Sequence, residues 1–208
     1  MSNLLGSSQR KPSGVDRRGL SARRGLRGGV AAGSISGKSG GPPMSAEDDI
    51  SRVTAQEQGL VFESFDEHVA FKLGVAIRDR ALRDGAPIAI EVRTWDRVLF
   101  FAGLPGSSFE NADWIRRKVN TVKRVLKSSY RVVLEKKFEE NYFPPGRGFN
   151  NDEHALAGGC FPIRLKGAGI VGTVTVSGVP QRRDHYYAVA GVCDTLGLDP
   201  ADWSLPGE

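Results

Sequence analysis

The chain has 208 residues with 39% hydrophobic and 25% charged composition, ordinary values for a soluble globular protein. It has no run of 18 apolar residues that would span a bilayer and no apolar core of a secretory signal. The formal net charge of +5 is uneven: residues 1–43 hold eight basic residues against Asp16, while the rest holds 21 basic and 23 acidic residues. The basic character therefore belongs to the N-terminal stretch, and the body has no charge signature of a nucleic-acid binder.

Residues 1–44 are rich in Gly, Ser and Arg, and no aromatic residue precedes Phe62. Such a segment buries too little apolar area to offset its ordering entropy, so a disordered tail is expected there and one domain over residues 45–208. The Arg- and Ser-rich composition leaves a mitochondrial presequence as the alternative to a cytoplasmic protein. The glycine density opposes the amphipathic helix that such a signal needs.

From Ser45 the pattern becomes periodic. SAEDDISRVTAQEQ opens with a capping serine and early acids, a helix start. LVFESF reads as a short strand. Ser64 and Glu67 have capping-box spacing, Val69, Leu73, Ile77 and Ala81 share a helical face, and Gly85 ends it. Ile88, Ile90 and Val92 alternate as a strand, TWDR turns, and VLFFAG returns. Ser107 and Glu110 suggest a second capping box, before a helix with Ile115, Val119, Val122 and Leu126 as its buried stripe. Its basic residues, Arg116, Arg117, Lys123, Arg124 and Lys127, fall largely on the other side. A helix near YRVVLEKKFEE, the long loop NYFPPGRGFNNDE, and a hairpin of FPIRL and IVGTVTVSG follow. A last helix starts near Asp184, buries Val189, Val192, Cys193 and Leu196, and stops at Gly197. Hairpins with helices packed on them define an α+β domain.

HALAGGCFPI, residues 154–163, is the first stretch with chemical interest. Gly158 and Gly159 permit close approach of a backbone or a flat ligand, and Pro162 suggests a strand edge or bulge. The stretch reads either as a corner into a strand or as a ligand wall, with His154 or Cys160 as an axial group for a haem iron. The two cysteines, Cys160 and Cys193, have no metal spacing and read as free and buried. VTVSGVPQRRDH is the second stretch. Ser177 and Gly178 end a strand, and His185 falls in the first helical turn, where the dipole disfavours its protonated form. Arg182 and Arg183 are candidates to hold a carboxylate, or simply solvated. No nucleophile elbow, zinc-protease helix, P-loop or dinucleotide fingerprint occurs, so no reaction follows from the motifs.

ENADWIRRKVNTVKRVLKSS, ALAGGCFPI and GIVGTVTVSGVPQRRDH together resemble the UPF0303 group of proteins. That group is similar to the haem-degrading (HbpS-like, GlcG-like) domain superfamily, and the resemblance runs from about residue 50 to 198. It implies a profilin-like three-layer α/β/α sandwich around a five-stranded antiparallel sheet. It also implies homo-oligomers built from dimers. A small-ligand-binding domain is the function it suggests, with haem among the ligands. The candidate cofactor-binding residues are His154, Gly158, Gly159, Cys160, Ser177 and His185; catalytic residues remain unassigned. A histidine common in the family stands where this sequence has Ala157, which weighs against haem ligation here. The alternative is a non-enzymatic, oligomeric protein-interaction module, with the basic face of Arg116–Lys127 as a docking surface. Val98, Phe100 and Phe101, with Trp95 and Trp114, offer aromatic surface for a subunit contact.

Overall fold

The computed structural model describes residues 45–136 and 142–207. The expectations for the N-terminal tail and for the end of the YRVVLEKKFEE helix lie outside those residues. Helix α1 (Ala46–Gly59) starts at the expected serine, where Ser45 and Asp48 close a capping box. Strand β1 is only Val61–Phe62. Helix α2 (Glu67–Asp84) is capped by Asp66, whose Oδ1 accepts from Val69 N at 2.9 Å, and not by Ser64. Ser64 stands two positions too early; the residue adjoining the first helical turn is the one whose side chain reaches its free N–H groups.

Strands β2 (Ala89–Thr94) and β3 (Val98–Gly103) form the expected hairpin. Helix α3 (Phe109–Val125) starts at Ser108, which forms a capping box with Asn111. Ser107 is instead occupied in the preceding turn, donating to Leu104 O at 2.7 Å. Leu126 is not part of the buried stripe: it ends α3 in a left-handed conformation, φ 55°, and is exposed. Helix α4 (Ser129–Lys136), strands β4 (Cys160–Leu165) and β5 (Gly169–Ser177), helix α5 (Gln181–Leu196) and a 3-10 turn (Pro200–Asp202) complete the order.

The sheet order is β1-β4-β5-β2-β3. It is mixed, not antiparallel throughout, because β1 pairs in parallel with β4 through Val61–Arg164 and Phe62–Leu165. The direction follows from the connections. Helix α2 is a crossover, so β1 and β2 run the same way; β2 is antiparallel to β5 and β5 to β4, which makes β4 parallel to β1. Pro162 lies outside the two-residue β1 pairing and beside a register shift at Ile163/Arg164, so its missing N–H removes no ladder bond.

The sheet has two unlike faces. Ile88, Ile90, Val92, Phe161, Ile163, Val174 and Val176 point into the main core, closed by Leu73, Ile77 and Ala81 of α2 and Ala188, Val189 and Val192 of α5. The other face, under α3, holds a small cluster of Ala89, Cys160, Ile115, Val119 and Val122. The alternating positions there are polar: Glu91, Thr173, Thr175 and Ser177 are all buried. Three layers result, as the resemblance implied.

Candidate functional site

The start of β4 sits where α3, β5 and α5 converge. Gly159 has φ 116°, and a Cβ there would lie 2.4 Å from Val176 O and 2.9 Å from the Lys118 ammonium. At Gly158 a Cβ would meet Gln181 O and the Tyr130 ring at 2.7 Å. The glycine pair therefore lets three backbones and one charged side chain occupy nearly the same space. The preceding loop is strapped to α3: Thr121 Oγ1 donates to Ala155 O at 2.9 Å and Asn120 Nδ2 to Glu153 O at 2.8 Å.

Lys118 is the charge that this space admits. It is 2% exposed, donates to Val176 O at 2.9 Å and pairs with Asp184 Oδ2 at 2.8 Å. Asp184, 3% exposed, also accepts from Val179 N at 3.1 Å. Burial lowers the Lys118 pKa and raises that of Asp184, while their mutual attraction opposes both shifts. Asp184 is therefore not the cap of α5, which starts three residues earlier after Pro180. Proline's preset φ suits a helix start, but it has no side chain to cap the first N–H groups.

A cavity of about 240 Å³ opens beside this pair, lined by Asn111, Trp114, Lys118, Ser177, Gln181 and Asp184 among others. Ser177 is 4% exposed, and its hydroxyl has no hydrogen-bond partner among the described residues. That oxygen is not sealed off: it opens onto the cavity. Wider depressions occur beside β1 and α2 and between α1 and the C-terminal segment. Neither is lined by a buried ionisable pair.

Of the six candidate residues, Ser177 lines the cavity, and Gly158 and Gly159 form the wall behind it. Cys160 continues that wall but faces inward. Its Sγ accepts from Thr175 Oγ1 at 3.1 Å, and burial pushes its thiol up to about 12. Cys193 is likewise free and buried. His185 is fully buried behind the wall, between Tyr130 and Phe161. Gln56 Nε2 donates to Trp203 O, so Gln56 Oε1 is an acceptor and His185 Nε2 carries the proton that it receives at 2.9 Å. Burial and then Arg182 push the His185 pKa down to about 3, and its Nδ1 is left buried without a partner. His154 stands apart, half-buried against Phe149, with Nδ1 3.1 Å from Asn150 O.

The residues lining this cavity do not fit haem, because none of them is a histidine, cysteine, methionine or tyrosine that could hold the iron. Cys160 and His185 present no free atom to an iron at the cavity, and Ala157 supplies none. No group of three or more metal-ligating side chains occurs among the described residues. The two arginines proposed to hold a carboxylate are committed elsewhere: Arg182 to Asp49 and Pro206 O, Arg183 to Asp84 and the Tyr186 ring. The basic face of α3 is also largely paired, with Arg116 on Asp113 and Glu153 and Lys127 on Glu135. Lys118 belongs to the ENADWIRRKVNTVKRVLKSS stretch that carries the family resemblance, but it is not among the six candidate site residues; its place on the same stripe as Ile115 and Val122, at spacings of three and four, was the signal that it is buried.

Residues 65–193 match the family model described as haem degrading protein HbpS-like. A UPF0303 protein of Mesorhizobium japonicum is 47% identical over 165 residues, covering 79% of this chain and 99% of the relative. A UPF0303 protein of Brucella melitensis biotype 2 is 48% identical over 157 residues, covering 76% and 93%. Among solved structures, the Ybr137w protein superimposes with a TM-score of 0.66 at 25% identity, covering 71% of this chain and 87% of that one. The PduOC:Heme complex superimposes with a TM-score of 0.53 at 14% identity, covering 62% and 94%, a likeness of fold alone.

Two outcomes follow from the buried groups. Lys118→Met leaves a carboxylate buried without its partner and should destabilise the domain by about 3–5 kcal/mol in urea unfolding. Lys118→Met with Asp184→Leu should cost less than the single change. A single-variant cost below about 1 kcal/mol would contradict the assignment. His185 stays neutral when folded while the unfolded chain takes up its proton below about pH 6.5. Its contribution is therefore present above that pH and lost as the pH falls toward 3. Between pH 7.5 and 5 the wild type should lose about 2 kcal/mol more than His185→Gln; equal losses would count against it.

Proposed function

Because the chain belongs to the HbpS-like haem degrading protein family, we propose that residues 45–208 form a small-ligand-binding domain whose ligand occupies the cavity between α3, β5 and α5. The observation that carries this reading is the Ser177 hydroxyl, which has no partner among the described residues and opens onto a cavity next to the Lys118–Asp184 pair. A hydroxyl in a concave site with no internal partner is free to orient a ligand. Gly158 and Gly159 shape the wall, Ser177 contacts the ligand, and Cys160 and His185 support the wall from behind. The cavity lining offers no imidazole, thiolate, thioether or phenolate to an iron, so haem is not the ligand proposed for it. His154 is not part of this site.

Assembly is a second, independent element of the proposal. Strand β3 is a sheet edge, with Phe101 51% exposed on it and Phe71 60% exposed on the adjacent α2. Phe71 and Phe100 meet edge to face at 5.8 Å on the α2 side, while Phe101, opposite Glu91, projects from the other face of the same edge strand. The tryptophans do not share this role: Trp95 turns into the small core and donates to Ile170 O, and Trp114 lines the cavity beneath Arg117. We assign the β3–α2 surface to a homodimer contact. Among the described residues no helix is long and apolar enough to cross a membrane.

The cavity is tested by thermal denaturation against a library of small polar metabolites. At least one should raise the melting temperature of the wild type by about 2 °C or more and leave Ser177→Val, which replaces the hydroxyl with methyl groups and narrows the cavity, unmoved. No shift in the wild type, or equal shifts in both, rejects the cavity as the site. Light scattering at about 10 micromolar, a concentration at which a few buried aromatic side chains hold a dimer, should give a dimer or a multiple of it. Phe71→Asp with Phe101→Glu should give a monomer; a monomeric wild type rejects the assembly.

A further inference from the structure

Ligand binding in the cavity is the premise here, and the hydrogen-bonding capacity of its wall narrows the ligand. Gln181 Oε1 accepts from Gly158 N at 3.2 Å, which leaves its amide N–H groups as the free end. Asn111 Oδ1 accepts from Ser108 N at 2.7 Å, which likewise leaves Nδ2 free to donate. The Trp114 indole can only donate, and two of the three Lys118 protons are committed to Val176 O and Asp184. The first N–H groups of the 16-residue α5 lack a side-chain cap, and the helix dipole adds positive potential there. The one carboxylate in the wall, Asp184, has Oδ2 on Lys118 and Oδ1 on Val179 N. Side-chain donors thus face the cavity from several elements, while each oxygen of the one carboxylate in the wall already accepts a hydrogen bond.

We propose that the molecule held between Ser177, Gln181, Asn111, Trp114 and Lys118 is a small monocarboxylate. Its two oxygens take the free donors at the α5 N-terminus, and the Ser177 hydroxyl donates to one of them. Ala157, Val179 and the Trp114 ring contact a chain of a few carbons. A single negative charge fits better than a phosphate dianion, because Asp184 neutralises Lys118 and the nearby guanidinium groups of Arg182 and Arg183 are bound to Asp49 and Asp84.

Calorimetric titration of the full chain with propionate, propionamide and inorganic phosphate tests this. Propionate should bind about tenfold or more tighter than its neutral isostere, and phosphate more weakly than propionate. Gln181→Glu keeps an oxygen for Gly158 N–H but replaces free donors with an acceptor and a negative charge. It should weaken propionate about tenfold while far-UV circular dichroism and melting temperature stay near the wild type. Ser177→Ala, which removes no internal bond, should weaken it about threefold. Propionamide binding as tightly as propionate would overturn the carboxylate assignment while leaving the cavity a ligand site. So would tighter phosphate binding or an unchanged Gln181→Glu. No binding of any probe also overturns it, and the metabolite screen then decides separately on the cavity.

Discussion

The domain is organised around a lysine ammonium buried among helix α3, strand β5 and helix α5. Lys118 touches the carbonyl of Val176 and the carboxylate of Asp184, so one charge ties three elements together at the end of the sheet. Its accommodation depends on Gly159, because any Cβ there would fall within 2.9 Å of the ammonium. A buried ion pair is rarely a net source of stability; the desolvation of both ions is offset only by good geometry and further hydrogen bonds. Here the carboxylate gains the Val179 N–H and the ammonium gains a main-chain carbonyl, the kind of support that makes such a pair tolerable.

The same constraint explains why the two faces of the sheet differ. The face under α2 and α5 is a continuous apolar core, and it supplies most of the burial that holds the fold. The face under α3 carries Glu91, Thr173, Thr175 and Ser177 at alternate positions, with burial raising the Glu91 pKa. The cavity opens at the end of that polar face, beside Lys118 and Ser177. Helix α1 and the C-terminal segment close the other side of the wall through Gln56, which joins His185 to Trp203.

Much of the local structure was legible from residue pattern. The α1 capping box, the β2–β3 hairpin, the glycine stops at Gly85 and Gly197, and the edge position of Pro162 all appear as the pattern indicated. The errors were of one to three residues at helix starts, where neighbouring serines and acids compete to be the cap: Ser64 against Asp66, Ser107 against Ser108, and Asp184 against a start at Gln181. The parallel β1–β4 pair was not legible, since pairing between strands about 100 residues apart leaves no local trace.

The sequence by itself determined the elements, their order and the glycine corner, because periodicity, caps and turn residues act over a few positions. Tertiary structure alone decided the chemistry of the site. Lys118 reads as one more basic residue on a charged helix and Asp184 as a helix cap until folding, across 66 residues, brings them to 2.8 Å in a space without water's dielectric. His185 has the sequence of a ligand and the environment of a core residue, because α1, far away in the chain, closes over it. Which groups are charged, paired or left free to meet a ligand depends on burial and on partners distant in sequence, and neither is a property of the local pattern.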